Sequence, residues 1–167
     1  MVRKEDGEGG VAEPPRLELD DWHLRAWGQV EQEAEWNWEQ FVRLPAVERE
    51  ADLLCGSGRR LEGKRWAGVL TRELLSRIRT RPAATFVMVH ALGGHCTGLS
   101  LRAFAASDAL FAWSLDGQPL TPERGWPLRL VVPGPGGPKS VKWVSGLEFL
   151  NKPWPASLDP ASESCRG

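Results

Sequence analysis

Residues 55–60 read Cys-Gly-Ser-Gly-Arg-Arg. A thiol followed by two arginines, Arg59 and Arg60, is biased toward its thiolate, the form that ligates metals and attacks electrophiles. Gly56, Ser57 and Gly58 leave space around the sulfur for something large. A thiolate is a soft donor, suited to transition metals that bind sulfur. The plain alternative is a small buried residue at a strand end, and composition alone favours it. Ser57 fails as a hydrolase nucleophile, because the nucleophile elbow needs glycine two positions earlier and Cys55 stands there. Cys55 as a protease nucleophile would require a histidine partner. His90 and His95 are present, but neither has a recognisable flank.

Two further groups carry chemistry-bearing side chains. Residues 133–140 read PGPGGPKS. A phosphate loop of the nucleoside-triphosphatase type needs glycine directly before Lys-Ser and a helix after it, whereas Pro138 intervenes here and a strand is expected next. The weaker form of the same physics survives. Glycine lets backbone approach an anion, and Lys139, Ser140 and Lys142 offer charge and hydroxyl donors for phosphate. The alternative is a stiff surface turn with solvated lysines. His90, His95 and Cys96 match no common zinc spacing, and the simpler expectation ends a strand at His90 and puts His95 in a turn.

The elements that must position these residues follow from periodicity. WHLRAWGQV and VEREADLL alternate as strands, the second running up to Cys55. WNWEQFVRLP predicts a short helix that Asn37 caps and Pro45 stops. Leu70, Leu74, Leu75 and Ile78 share a helical face, so residues 71–79 are predicted helical. TFVMVH and PLRLVV read as buried strands, LRAFAAS as a short helix, and Asp116-Gly117 as a tight turn. KSVKWVSGLEFL alternates throughout and predicts one long strand. These elements give an α+β class, a single strand-rich mixed domain with helices at its edges and sites borne on loops. The charged, Gly/Pro-rich stretch 1–16 and the small, polar stretch 156–167 are expected to be flexible tails around a body at 17–155.

Composition narrows the function classes. The chain has 167 residues, 41% of them hydrophobic, enough for one domain with a core. A formal net charge of −1 gives no global attraction to nucleic acid or an anionic membrane. No apolar run is long enough to span a bilayer, and MVRKEDGEGG lacks the apolar core of a signal peptide. Nine Trp and no Tyr point to indole as core filler. Cys55, Cys96 and Cys165 are odd in number and lack CxxC spacing, which disfavours a disulfide framework or a structural zinc site. A reducing compartment follows as the expectation: the cytoplasm, or the periplasm if a leader has been removed.

Two stretches taken together resemble the molybdopterin domain of the sulfite oxidase family. The first is Cys55-Gly-Ser-Gly-Arg-Arg60, followed by Arg65-Trp66-Ala67-Gly68. The second is DGQPLTPERGWPLRLVVPGPGGPKSVKWVSGLEFL, residues 116–150, which holds the family's motifs in the family's order. The resemblance spans roughly residues 22–150. It implies a pyranopterin (molybdopterin) cofactor carrying molybdenum, with Cys55 as the protein's thiolate ligand to the metal. It implies that Arg60 holds the substrate oxyanion, since a guanidinium grips such groups through paired hydrogen bonds. Arg129 and Lys142 match cofactor-holding residues, Lys139 and Ser140 lie on the contacting loop, and Arg124 stands where sulfite oxidases carry a histidine. The substrate class would be a small oxyanion or a sulfoxide.

Three departures from the family pattern shape the expectation. Residues 1–21 hold no counterpart of the family's Phe-x-Arg-Asn-His segment, so the expectation is that half of one cofactor wall is missing or is supplied by the tail or another chain. His95, in GGHCTGLSL, aligns with the family's active-site tyrosine, and its imidazole could donate a hydrogen bond or relay a proton. No dimerisation or haem domain accompanies the motifs, so electrons would pass to or from a separate donor or acceptor protein. The leading expectation is a molybdenum-dependent oxidoreductase transferring an oxygen atom with two electrons. The alternative is a non-catalytic member that keeps the fold as a binding or carrier module, and a cysteine hydrolase is a third.

Overall fold

A computed structural model describes residues 13–54, 60–133 and 139–153, with backbone only at Leu54 and Lys139. The first strand, β1 (His23–Gly28), buries Leu24 and Ala26 and turns His23 and Arg25 outward, as its alternation requires. β2 (Ala34–Asn37) pairs antiparallel with it. Asn37 then opens α1 (Trp38–Val42). Its side chain accepts from the Gln40 N–H, and the Gln40 side chain accepts from the Asn37 N–H, a reciprocal cap.

β3 (Val47–Leu54) and β4 (Arg60–Leu70) form a long antiparallel hairpin, and α2 (Thr71–Ile78) follows directly. A second hairpin, β5 (Phe86–Ala91) and β6 (Cys96–Ser100), leads into the short α3 (Leu101–Phe104). β7 (Leu110–Leu115) turns at Asp116-Gly117, both at positive φ, into β8 (Gln118–Pro119). A 3₁₀ turn at Pro122–Arg124 precedes β9 (Arg129–Val132), β10 (Lys139–Val141) and β11 (Val144–Leu150).

The strands make two sheets. One has the order β2-β1-β11-β5-β6, and the other runs β10-β9-β7-β4-β3 with β8 attached to β7. Every pairing is antiparallel except β1 with β11. The main core unites Leu24, Ala26, Val87, Val89, Leu147 and Phe149 of the first sheet with Val69, Phe111, Leu130 and Val132 of the second. A second cluster, including Leu53, Trp66, Leu110, Ala112 and Val131, lies on the other face of the second sheet, joined by Leu120 and flanked by Trp126. The second sheet is therefore buried on both faces around β7, β9 and the end of β4, whereas β3 and the first half of β4 are largely exposed. Indole does fill core: Trp22 and Trp66 are fully buried.

Three sequence expectations need correction. KSVKWVSGLEFL is two strands, not one, and they belong to different sheets. Trp143 adopts φ 55, a left-handed backbone that alternation cannot register, and turns the chain from β10 to β11. β2, β4 and β6 were not anticipated. β4 carries Gly63 and Gly68, and its register shifts against both neighbours, which blurs its period. Finally, Cys96 is disulfide-bonded, with its partner outside the described residues. Cysteine count and spacing argue against a framework but cannot exclude one bond.

Candidate cofactor site

Arg129 opens β9 on the face shared with Val131, away from the main core, because Leu130 and Val132 take the core side. It is only 5% exposed. Burying a guanidinium demands compensation for lost water. Its Nε donates to Ser140 Oγ at 2.6 Å, and its Nη1 donates to the Arg124 carbonyl at 3.2 Å. The guanidinium carbon also lies 5.5 Å from the Trp66 ring centroid. Cation–π attraction over a desolvated indole is worth up to about 2 kcal/mol. Ser140 is opposite Val131 in the β9–β10 ladder, so the ladder itself brings the hydroxyl to the guanidinium.

Lys142 stands just after β10, with its Nζ 5.9 Å from the Trp143 ring centroid. Gly125 packs against it: a Cβ there would come within 3.1 Å of Lys142 Cα, Cβ and Cγ, and the backbone at φ 108 suits glycine alone. Arg124, one residue earlier, is exposed. Trp143 Nε1 donates to the Pro122 carbonyl at 2.7 Å, and the Trp143 carbonyl accepts from the Leu92 N–H at 2.8 Å. Leu92 begins the β5–β6 turn, where His95 is exposed and its Nε2 is 3.4 Å from Thr97 Oγ1. The turn carrying Arg124, the crossover carrying Lys142 and the turn carrying His95 thus meet at one residue, the first through the Trp143 indole and the last through its backbone carbonyl.

Arg60 begins β4 and is 63% exposed, paired with Asp52 at 3.1 Å and Glu62 at 3.2 Å. The structure does not join it to Arg129 by any described contact. Cys55 lies outside the described residues, as does the Lys139 side chain. His90 is elsewhere, on the outer face of the first sheet. Its Nε2 is 3.0 Å from Glu148 Oε2, and its ring lies 5.1 Å from that of Trp27. No group of three or more His, Cys, Asp or Glu could hold a metal among the described residues. Sequence reasoning missed Trp66 and Trp143 as site residues. Both lie inside the quoted motifs, so the signal was present, but nothing local said which side chain the indole would meet.

A buried guanidinium, a hydroxyl and an ammonium borne on one hairpin and its exit form a donor set that fits phosphate, set on the face of the second sheet turned away from the main core. The description "Oxidoreductase molybdopterin binding domain" matches residues 11–158, and the chain belongs to that family. The cofactor of the family is the molybdenum-bearing pyranopterin. The chain is 31% identical to the uncharacterized oxidoreductase YuiH of Bacillus subtilis over 150 residues, covering 90% of this chain and 76% of that one. It is 29% identical to a nitrate reductase [NAD(P)H] of Hordeum vulgare, over 80% of this chain but 18% of the relative. Among solved structures it resembles the sulfane dehydrogenase SoxCD from Paracoccus pantotrophus, with a TM-score of 0.71 and 21% identity. That match covers 84% of this chain and 41% of the SoxCD chain, and it shows the fold. Among the described residues, no helix is long and apolar enough to cross a membrane.

Proposed function

We propose that this chain performs two-electron oxygen-atom transfer of the sulfite oxidase type on a small oxyanion or sulfoxide. The observation that carries the reading is the buried Arg129, held by Ser140, the Arg124 carbonyl and the Trp66 face on the motif shared with the family. When bound, the cofactor supplies the metal that accepts or gives the oxygen atom and the electron pair. Cys55 is the metal's thiolate ligand, a role that requires it to be free of the disulfide Cys96 makes, and its potential is tuned by hydrogen bonds around the sulfur. Arg129, Ser140 and Lys142, with Lys139 and Arg124, hold the pterin and its phosphate.

Arg60 binds the substrate oxyanion. Its present carboxylate partners do not oppose that role, since ion pairs this exposed are screened by solvent and exchange readily. His95 orients substrate or moves a proton from its exposed turn. Electrons leave or enter through a separate donor or acceptor protein.

The test is direct. Protein made in a host that synthesises the cofactor is analysed for molybdenum and pterin, then assayed with sulfite and an artificial electron acceptor, and with a sulfoxide and a reduced dye. Metal that is present in the wild type and lost in a folded Cys55→Ser variant supports the ligand assignment. Loaded protein that turns over neither substrate class leaves a carrier role and ends the enzymatic reading.

A further inference from the structure

We propose that Trp143 is a positioning residue for the cofactor: it locks the turn carrying Arg124 and the turn carrying His95 onto the Lys142 crossover. This inference rests on the cofactor site proposed above and adds the device that assembles it. Three observations carry it. The Trp143 backbone sits at φ 55, a conformation costly to any residue with a Cβ, at the point where the chain leaves one sheet for the other. A non-glycine residue is retained there, and its side chain is engaged. The indole is 5% exposed, and its only nitrogen donates to the Pro122 carbonyl at 2.7 Å. The carbonyl of the same residue takes the Leu92 N–H at 2.8 Å.

The turn thus anchored contributes to the site twice more. The Arg124 carbonyl receives Arg129 Nη1 at 3.2 Å, and Gly125 lies so close to Lys142 that a Cβ there would meet its Cα, Cβ and Cγ at 3.1 Å. Freeing the turn from the indole would therefore loosen Arg129 and Lys142 together, although Trp143 need touch no cofactor atom. Two like charges held near each other repel, and a rigid frame that fixes their spacing lets one anion satisfy both without first ordering them.

The experiment compares wild type, Trp143→Phe, Gly125→Ala and Asn37→Ala, all purified from a cofactor-producing host. Trp143→Phe keeps an aromatic ring and the backbone but removes the N–H and the pyrrole half of the indole. Asn37→Ala loses a helix cap at the β2–α1 junction, and so reports what a loss of stability alone does. The readouts are pterin fluorescence per folded chain, the rate of pterin loss on dilution, and the thermal midpoint. Trp143→Phe is expected to release pterin about fivefold faster than wild type, the factor carried by one hydrogen bond. Asn37→Ala is expected to release it at the wild-type rate despite a lowered midpoint. Gly125→Ala, expected to lose pterin by displacing Lys142, tests the frame independently should Trp143→Phe fail to fold. Wild-type release rates in both site variants would overturn the proposal. A wild type without pterin in that host would overturn the cofactor reading itself, and this inference with it.

Discussion

Arg129 and Arg60 carry the same charge in opposite settings, which is why different roles are proposed for them. Arg129 is buried against Trp66 and bonded to Ser140, whereas Arg60 is exposed and already shared between two carboxylates. Arg129→Lys keeps the charge but loses the planar fork, so it should weaken cofactor retention by about 10- to 100-fold, the range of charge-assisted hydrogen bonds. Arg60→Gln should leave molybdenum and pterin content unchanged and raise KM for the oxyanion by about tenfold or more. Metal analysis beside steady-state kinetics checks both. If Arg60→Gln empties the site, the assignment of Arg60 to substrate is wrong. The resemblance made these residues legible, because Arg129, Ser140 and Lys142 fall on its motifs. It did not make legible the indole under Arg129, because stacking depends on a β4 strand whose period is interrupted by glycines.

Among elements, the β3–β4 hairpin is held by acid side chains at its irregularities. Asp52, at the register shift between Ala51 and Leu53, accepts the Gly63 N–H at 2.9 Å and a bond from Arg60 at 3.1 Å. Asp116, at the β7–β8 turn, accepts the Arg65 N–H at 3.0 Å and Lys64 Nζ at 3.0 Å. Both carboxyls are held below the ordinary carboxylate range, chiefly by the backbone N–H each accepts and next by the neighbouring cation. A carboxyl whose folded value is depressed stabilises the fold above its unfolded value, and that stabilisation is lost as pH falls through the folded value. Thermal midpoints should therefore decline as pH drops below the ordinary carboxylate range. The decline should be shallower in Asp52→Asn/Asp116→Asn, which keeps amide oxygens to accept the N–H groups but cannot titrate. An equally steep decline in the double variant would assign acid lability elsewhere.

The pairing of β4 with β7 is sensitive for a different reason. A Cβ at Gly68 would be driven onto the Phe111 carbonyl oxygen. Gly68→Ala should cost at least about 2 kcal/mol, as overpacking does in close-packed interiors, and urea denaturation would show it as a lowered midpoint. Strands with clean alternation, β1 and β3, were legible in the sequence, and so was α1 from its cap. β11 was not separable from β10, because the break lies in the backbone of Trp143 and not in its residue type.

For the molecule as a whole, the two sheets and their order lay beyond what periodicity can give. Alternation specifies which face a residue takes, but not which strand lies beside it. The α+β, strand-rich class followed from local patterns, whereas the pairing of β1 with β11 joins residues 25–28 to 146–149 and has no local signature. Cofactor binding should act on this whole body. A ligand that binds only the folded state raises its apparent stability by mass action. Loaded protein should therefore melt higher than the same protein stripped of pterin, and the difference should vanish in a folded variant that cannot retain it. A calorimetric comparison of the two preparations checks this, and coincident melting would place the cofactor outside the cooperative unit.

The parallel contact of β1 with β11, reinforced by the Trp22 indole donating to the Val144 carbonyl, also imposes a schedule on synthesis. The first strand must wait for almost the last described one before its open edge is covered. Hairpins such as β3–β4 and β5–β6 can close as they leave the ribosome, but the sheet that joins the first described strand to the last cannot. Until residue 150 emerges, the nascent chain exposes unpaired backbone on β1 and apolar side chains meant for the common core. Production of this protein should for that reason depend on chaperone supply and on slow, cool expression.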